Sequence, residues 1–145
     1  MAANFTPADS ILHRIIAPCT LASVPRILII DDEDDIREVA SLAIETTAGW
    51  EVLTASGGQQ GMEVAAREQP DAILMDVMMP GMDGPTTFKA MQENPATAGI
   101  PVILLTAKVQ GVDQRRFAGL GVTAVLFKPF DPMTLADQMA EALGW

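Results

Sequence analysis

A chain of 145 residues has the size of one domain and enough length to bury a core under a sheet covered on both faces. With 49% hydrophobic and only 5% aromatic residues and no long uncharged apolar run, it describes an aliphatic core, and no membrane insertion is expected. A formal net charge of −10, with nine Lys and Arg spread thinly, argues against direct nucleic-acid contact, because phosphates require a basic patch.

Residues 1–25 show no sustained period, contain Pro7, Pro18 and Pro25, and carry no net charge because Asp9 and Arg14 cancel. They read as an N-terminal extension outside the fold, either poorly ordered or a short helix with Ile11, Leu12, Ile15 and Ile16 along one side. The apolar stretch 11–23 is a poor secretory signal, having one basic residue, a short apolar run and an interrupting Pro18. Cys19 is the only cysteine, so no intrachain disulfide forms, which agrees with a cytoplasmic protein. His13, the sole histidine, reads as solvent-exposed and not as a phosphoryl donor.

From Arg26 onward short aliphatic runs alternate with helical stretches, the pattern of successive strand–helix units and hence of an α/β protein with a parallel sheet. The predicted strands are Arg26–Ile30, Glu51–Ala55, Ala72–Met75, Val102–Leu105 and Thr123–Phe127, with the outer pair the more polar. Ile36, Val39, Ala40, Ala43 and Ile44 fall at helical spacing, as do Met62, Ala65 and Ala66. Pro85 marks the start of a third helix after the Gly81–Gly84 loop, a fourth is expected near Asp113–Gly119, and Pro132 opens a last one from Met133 to about Ala142. Gly57, Gly58 and Gly61 lack the spacing of a dinucleotide loop and read as a turn and helix start. Residues 26–145 are thus expected to form one domain, with output supplied by a partner.

Four of the five predicted strands end in a polar residue of a different kind: Asp31 and Asp32 follow Ile30, Asp76 follows Met75, Thr106 follows Leu105, and Lys128 follows Phe127. In a parallel sheet these ends share one edge, where ligands bind. Three carboxylates there repel, one Lys cannot neutralise them all, and a hard cation such as Mg²⁺ suits an all-oxygen site that also meets a phosphate. A carboxylate facing a phosphate donor can then attack phosphorus in line. Asp31 to Asp35 taken alone would read as a charged helix start, and Glu33, Asp34 and Asp35 keep that reading.

The segments Ile-Leu-Ile-Ile-Asp-Asp-Glu (27–33), Ile-Leu-Met-Asp-Val-Met-Met-Pro-Gly-Met-Asp-Gly (73–84), Leu-Leu-Thr-Ala-Lys (104–108) and Phe-Lys-Pro-Phe (127–130) resemble, in order and spacing, the hallmark segments of response-regulator receiver domains. The resemblance covers about residues 26–143. It implies a doubly wound, flavodoxin-like five-stranded sheet of order 2-1-3-4-5 with helices on both faces. It further implies a phospho-acceptor, not an enzyme acting on other substrates: Asp76 takes the phosphoryl group, and Asp31, Asp32, Asp76 and the backbone carbonyl of Met78 hold Mg²⁺, Asp31 mainly through water. Lys128 pairs with the carboxylate or phosphoryl oxygens, across a cis Lys128–Pro129 bond. Thr106 swings its hydroxyl onto the phosphoryl group, and the N–H groups of Val77 and Ala107 donate to it. The implied donor is a sensor histidine kinase or a histidine phosphotransfer protein. The implied output of a stand-alone receiver is phosphorylation-dependent docking to a downstream protein target.

One departure matters. Receivers usually carry an aromatic residue three positions before the last-strand Lys, and Val125 stands there, so an aromatic switch is doubtful and readout falls to Thr106, the Lys108–Asp113 loop and backbone shifts. Two alternatives remain. A hydrolase with an Asp nucleophile is disfavoured because Met78, not an acid, lies two residues after Asp76. A purely structural adaptor draws support from Val125 but is opposed by the full set of acids and Lys128. Met75, Met78, Met79 and Met82 read as packing residues and not as a soft-metal site.

Overall fold

Short aliphatic runs that avoid water on both sides build the centre of the protein. The computed structural model describes residues 24–107, 115–117 and 119–145. Its strands are β1 (Arg26–Ile30), β2 (Glu51–Ala55), β3 (Ala72–Asp76), β4 (Val102–Ala107) and β5 (Ala124–Lys128), all paired in parallel in the order β2-β1-β3-β4-β5. This is the flavodoxin-like order that the resemblance implied. β3 and β4 extend past the predicted ends at Met75 and Leu105, because a polar side chain does not interrupt a backbone ladder: Asp76 pairs with Leu105, and Ala107 with Lys128. The central strands are almost wholly buried, whereas β2 and β5 are largely half-buried or exposed; of the outer pair only β2 is the more polar in sequence, since β5 (Ala-Val-Leu-Phe-Lys) is as apolar as β1 and β3.

Alternation along the strands divides the interior into two layers. Ile27, Ile29, Leu74, Ile103 and Leu105 pack against Ala40 and Ile44 of α1 (Asp34–Ala48) and Leu135 and Met139 of α4 (Leu135–Leu143). Leu28, Ile30, Ile73, Met75 and Leu104 meet Val64 and Ala65 of α2 (Gly58–Glu68) and Phe88 and Met91 of α3 (Gly84–Gln92). Each fully buried Ile or Leu contributes roughly 1.5–3 kcal/mol. Met75 and Met79 fill this second layer, while Met78 is exposed.

The loop entering α3 is fixed locally: Asp83 Oδ1 accepts from the Thr86 N–H at 2.8 Å, and Pro85 sits in the first turn. Gly84 is required by close approach, since a Cβ there would lie 2.6 Å from the Asp76 carbonyl oxygen. The last helix starts two residues later than predicted. The Asp131 carbonyl accepts from both Thr134 and Leu135 N–H at 3.0 Å and its Oδ1 takes the Met133 N–H at 2.9 Å, so 132–134 form a turn. Of the predicted fourth helix, 115–117 are helical and Gly119 lies in a turn; 113, 114 and 118 are outside the described residues. So are residues 1–23, with the readings of His13 and Cys19, and the loop 108–113. Among the described residues no helix is long and apolar enough to cross a membrane.

Candidate functional site

Register brings the polar strand ends together. Ile30 pairs with Met75, which sets Asp31 level with Asp76, and Asp76 pairs with Leu105, which places Thr106 one step above. Strand parity then sorts the side chains. Asp31, Asp76 and Lys128 continue the rows of β1, β3 and β5 that face α1 and α4, whereas Thr106 continues the row of Leu104, which faces α2 and α3.

The first three converge closely. Lys128 Nζ lies 3.1 Å from Asp76 Oδ1 and 3.3 Å from Asp31 Oδ2. Asp31 Oδ1 accepts the Glu33 N–H at 2.8 Å, while Oδ2 is buried and has no hydrogen-bond partner. Burial pushes the Asp31 carboxyl above its ordinary value despite the Glu33 N–H and Lys128. Burial likewise pushes Asp76 up to about 6, with the Asp31 charge adding, against the pull of Lys128 and the Met78 N–H. Burial pulls the Lys128 ammonium down, but the hydrogen bond and charge of Asp76, with Asp31, outweigh it and hold the group above its ordinary value. The Lys128–Pro129 bond is cis.

Thr106 is buried at the rim, but no hydrogen bond joins it to Asp31, Asp76 or Lys128. It lines a cleft of about 200 Å³ on the α3 side, together with Val77, Met78, Pro85, Ala107 and Phe117. The donor expected from Val77 is engaged: its N–H goes to the Leu105 carbonyl at 3.1 Å, because the β3–β4 ladder continues past Asp76. The backbone N–H that draws the Asp76 carboxyl down belongs instead to Met78, which sequence reasoning singled out for its carbonyl and for not being an acid. Ala107 is exposed at the end of β4.

Asp31, Asp32 and Asp76 each offer a carboxylate oxygen within 4.8 Å of the others, the one such acidic group among the described residues. Two of the three are buried and Asp32 is exposed. One lysine leaves this charge uncompensated, and Asp31 Oδ2, which is buried, forms no hydrogen bond and shares the Lys128 ammonium at 3.3 Å, is the atom a cation would satisfy. An all-oxygen donor set with no His or Cys fits Mg²⁺.

Comparison with known proteins agrees with this geometry. Residues 27–140 match the family model of the response regulator receiver domain. The chain belongs to the response regulator receiver family. This receiver is 41% identical over 108 residues to the DNA-binding dual master transcriptional regulator RpaA of Synechocystis sp., covering 74% of this chain and 44% of that protein. It is 40% identical over 119 residues to the phosphate regulon transcriptional regulatory protein PhoB of Pseudomonas aeruginosa, covering 81% and 51%. The chain thus spans about half the length of these curated relatives. The chemotaxis protein CheY4 of Vibrio cholerae superposes with a TM-score of 0.77 at 30% identity, covering 83% of this chain and 99% of that one.

At the position where receivers usually carry an aromatic, Val125 is half-buried and packs against the α2–α3 layer. Phe127, two residues on along the same face of β5, is 39% exposed. A residue that sequence reasoning assigned to the helix start takes part in the receiver site: Glu33 Oε1 lies 3.4 Å from Lys128 Nζ.

Proposed function

We propose that Asp76 accepts a phosphoryl group from the phosphohistidine of a sensor histidine kinase or a histidine phosphotransfer protein, and that the phosphorylated receiver signals by docking to a downstream protein in the cytoplasm. The observation that carries the reading is the pairing of a nearly buried Asp76, 4% exposed, with Lys128 Nζ at 3.1 Å beside Asp31. Asp31 is the poorer acceptor, 1% exposed and with Oδ1 already committed to the Glu33 N–H.

In the transfer, an Asp76 carboxylate oxygen forms a bond to phosphorus as the P–N bond to the donor imidazole breaks, and the imidazole takes up a proton. Asp31, Asp32, Asp76 and the Met78 carbonyl would hold Mg²⁺, which supplies charge neutralisation to the phosphoryl oxygens. Lys128 gives its ammonium to the same oxygens, and the N–H groups of Met78 and Ala107 add donors on the backbone side. Thr106 reaches the phosphoryl group by turning from the α3-side cleft to the rim, which couples acceptance of phosphate to a change of packing beside Phe117.

Incubation with Mg²⁺ and acetyl phosphate followed by mass spectrometry should add one phosphoryl group to the wild type and none to Asp76→Asn. Label that persists on the variant would move the acceptor elsewhere.

A further inference from the structure

Glu33 is an acid at the rim with no place in the cation-binding group, which comprises Asp31, Asp32 and Asp76. It occupies the N-cap of α1 yet makes no side-chain cap hydrogen bond, at a position where Ser, Thr, Asp and Asn are the usual residues. Its backbone serves locally, the N–H donating to Asp31 Oδ1 at 2.8 Å and the carbonyl accepting the Arg37 N–H at 3.1 Å. The side chain turns to Lys128 instead.

An ammonium has three protons. Three carboxylate oxygens surround this one, from Asp76 at 3.1 Å, Asp31 at 3.3 Å and Glu33 at 3.4 Å. The side chains of Asp31 and Asp76 are 1% and 4% exposed, and that of Glu33 60%. Glu33 alone of the three can let go of the lysine without stranding a buried charge.

We propose that Glu33 is a positioning residue that holds Lys128 in its resting pose at the mouth of the site and, through its charge, slows entry of the phosphoryl group at Asp76. This rests on the function proposed above. A phosphoryl group brings roughly two negative charges and requires the Lys128 ammonium for its oxygens. Glu33 competes for that ammonium and repels the incoming group. Its exposure keeps the effect small and open to screening, since charges in solvent act over about 8–10 Å at moderate salt.

The test measures the rate of Asp76 phosphorylation by acetyl phosphate at saturating Mg²⁺, for the full chain and its Glu33→Gln and Glu33→Asp variants, at about 0.05 M and 0.5 M salt. Glu33→Gln should be about threefold faster than wild type at low salt, falling below about 1.5-fold at high salt. Glu33→Asp, which keeps the charge, should stay within about 1.5-fold of wild type. A Glu33→Gln rate equal to or below wild type at low salt overturns the proposal, and so does a gain that ignores salt or is shared by Glu33→Asp. If the wild type itself takes no label at Asp76, the proposed function falls and this inference with it; a labelled wild type with an indifferent Glu33→Gln refutes the inference alone.

Discussion

Replacing Asp76 with Asn should stabilise the fold at neutral pH in the absence of Mg²⁺. Burial, with the Asp31 charge adding, pushes this carboxyl from its ordinary 3.8 up to about 6, against Lys128 and the Met78 N–H. Below pH 3.8 it is protonated in folded and unfolded chains alike and makes no difference. Between 3.8 and about 6 the folded protein keeps a proton that the unfolded chain has lost, so stability falls as pH rises; above about 6 the cost of holding the charge is constant. At about 1.4 kcal/mol for each factor of ten, that gap sets a ceiling of about 3 kcal/mol, which water at the open rim reduces to roughly 1–2 kcal/mol. Urea unfolding in EDTA at pH 7.5 should therefore give Asp76→Asn a higher midpoint than wild type, with a melting temperature raised by roughly 5 °C. The two proteins should converge near pH 4, although both keep the pH dependence that comes from the raised Asp31. A variant less stable than wild type at pH 7.5, or a gap that persists unchanged at pH 4, would refute the claim that Asp76 is held at a cost.

Mg²⁺ should raise the wild-type melting temperature by mass action, worth about 2.7 kcal/mol at one hundred times the dissociation constant. Thermal scans of Asp31→Asn should show most of that gain lost, and an undiminished gain would place the cation elsewhere. Gly84→Ala would set a Cβ 2.6 Å from the Asp76 carbonyl oxygen and 3.0 Å from Val77 Cα, both backbone atoms. It should cost about 1–3 kcal/mol in urea unfolding and slow acyl-phosphate labelling, whereas wild-type behaviour in both would disprove the close approach. Trp50 and Trp145 pack edge to face with centroids 5.1 Å apart, so Trp145→Ala should lose at least about 0.5–1.5 kcal/mol of unfolding free energy. An unchanged urea midpoint would count against that contact.

The sequence by itself determined the order of strands and helices and which polar groups share the carboxyl edge of the sheet. Strands covered on both faces must be continuous aliphatic runs, so β1, β3 and β4 stand out, and Pro85 announces α3 from its first turn. Asp31, Asp76 and Lys128 were legible because the carboxyl ends of parallel strands lie at one edge whatever the details of packing. The start of α4 was misread by two residues because Asp131, not Pro132, gathers the first N–H groups.

Tertiary structure decided what each group at the edge is free to do. Whether the Val77 N–H points to a ligand or to the Leu105 carbonyl depends on how far the β3–β4 ladder runs, and nothing local to Val77 encodes that. The opposite facing of Thr106 was readable from its place two residues after Leu104, but the cleft beside it forms only when α3 and Phe117 arrive. Glu33 looks like any first-turn acid until β5 brings Lys128, 95 residues away in the chain, within 3.4 Å of it. Periodicity and capping act over a few residues and are written in order along the chain. Charge–charge distances are set by register and layer packing, and they exist only once the sheet has closed.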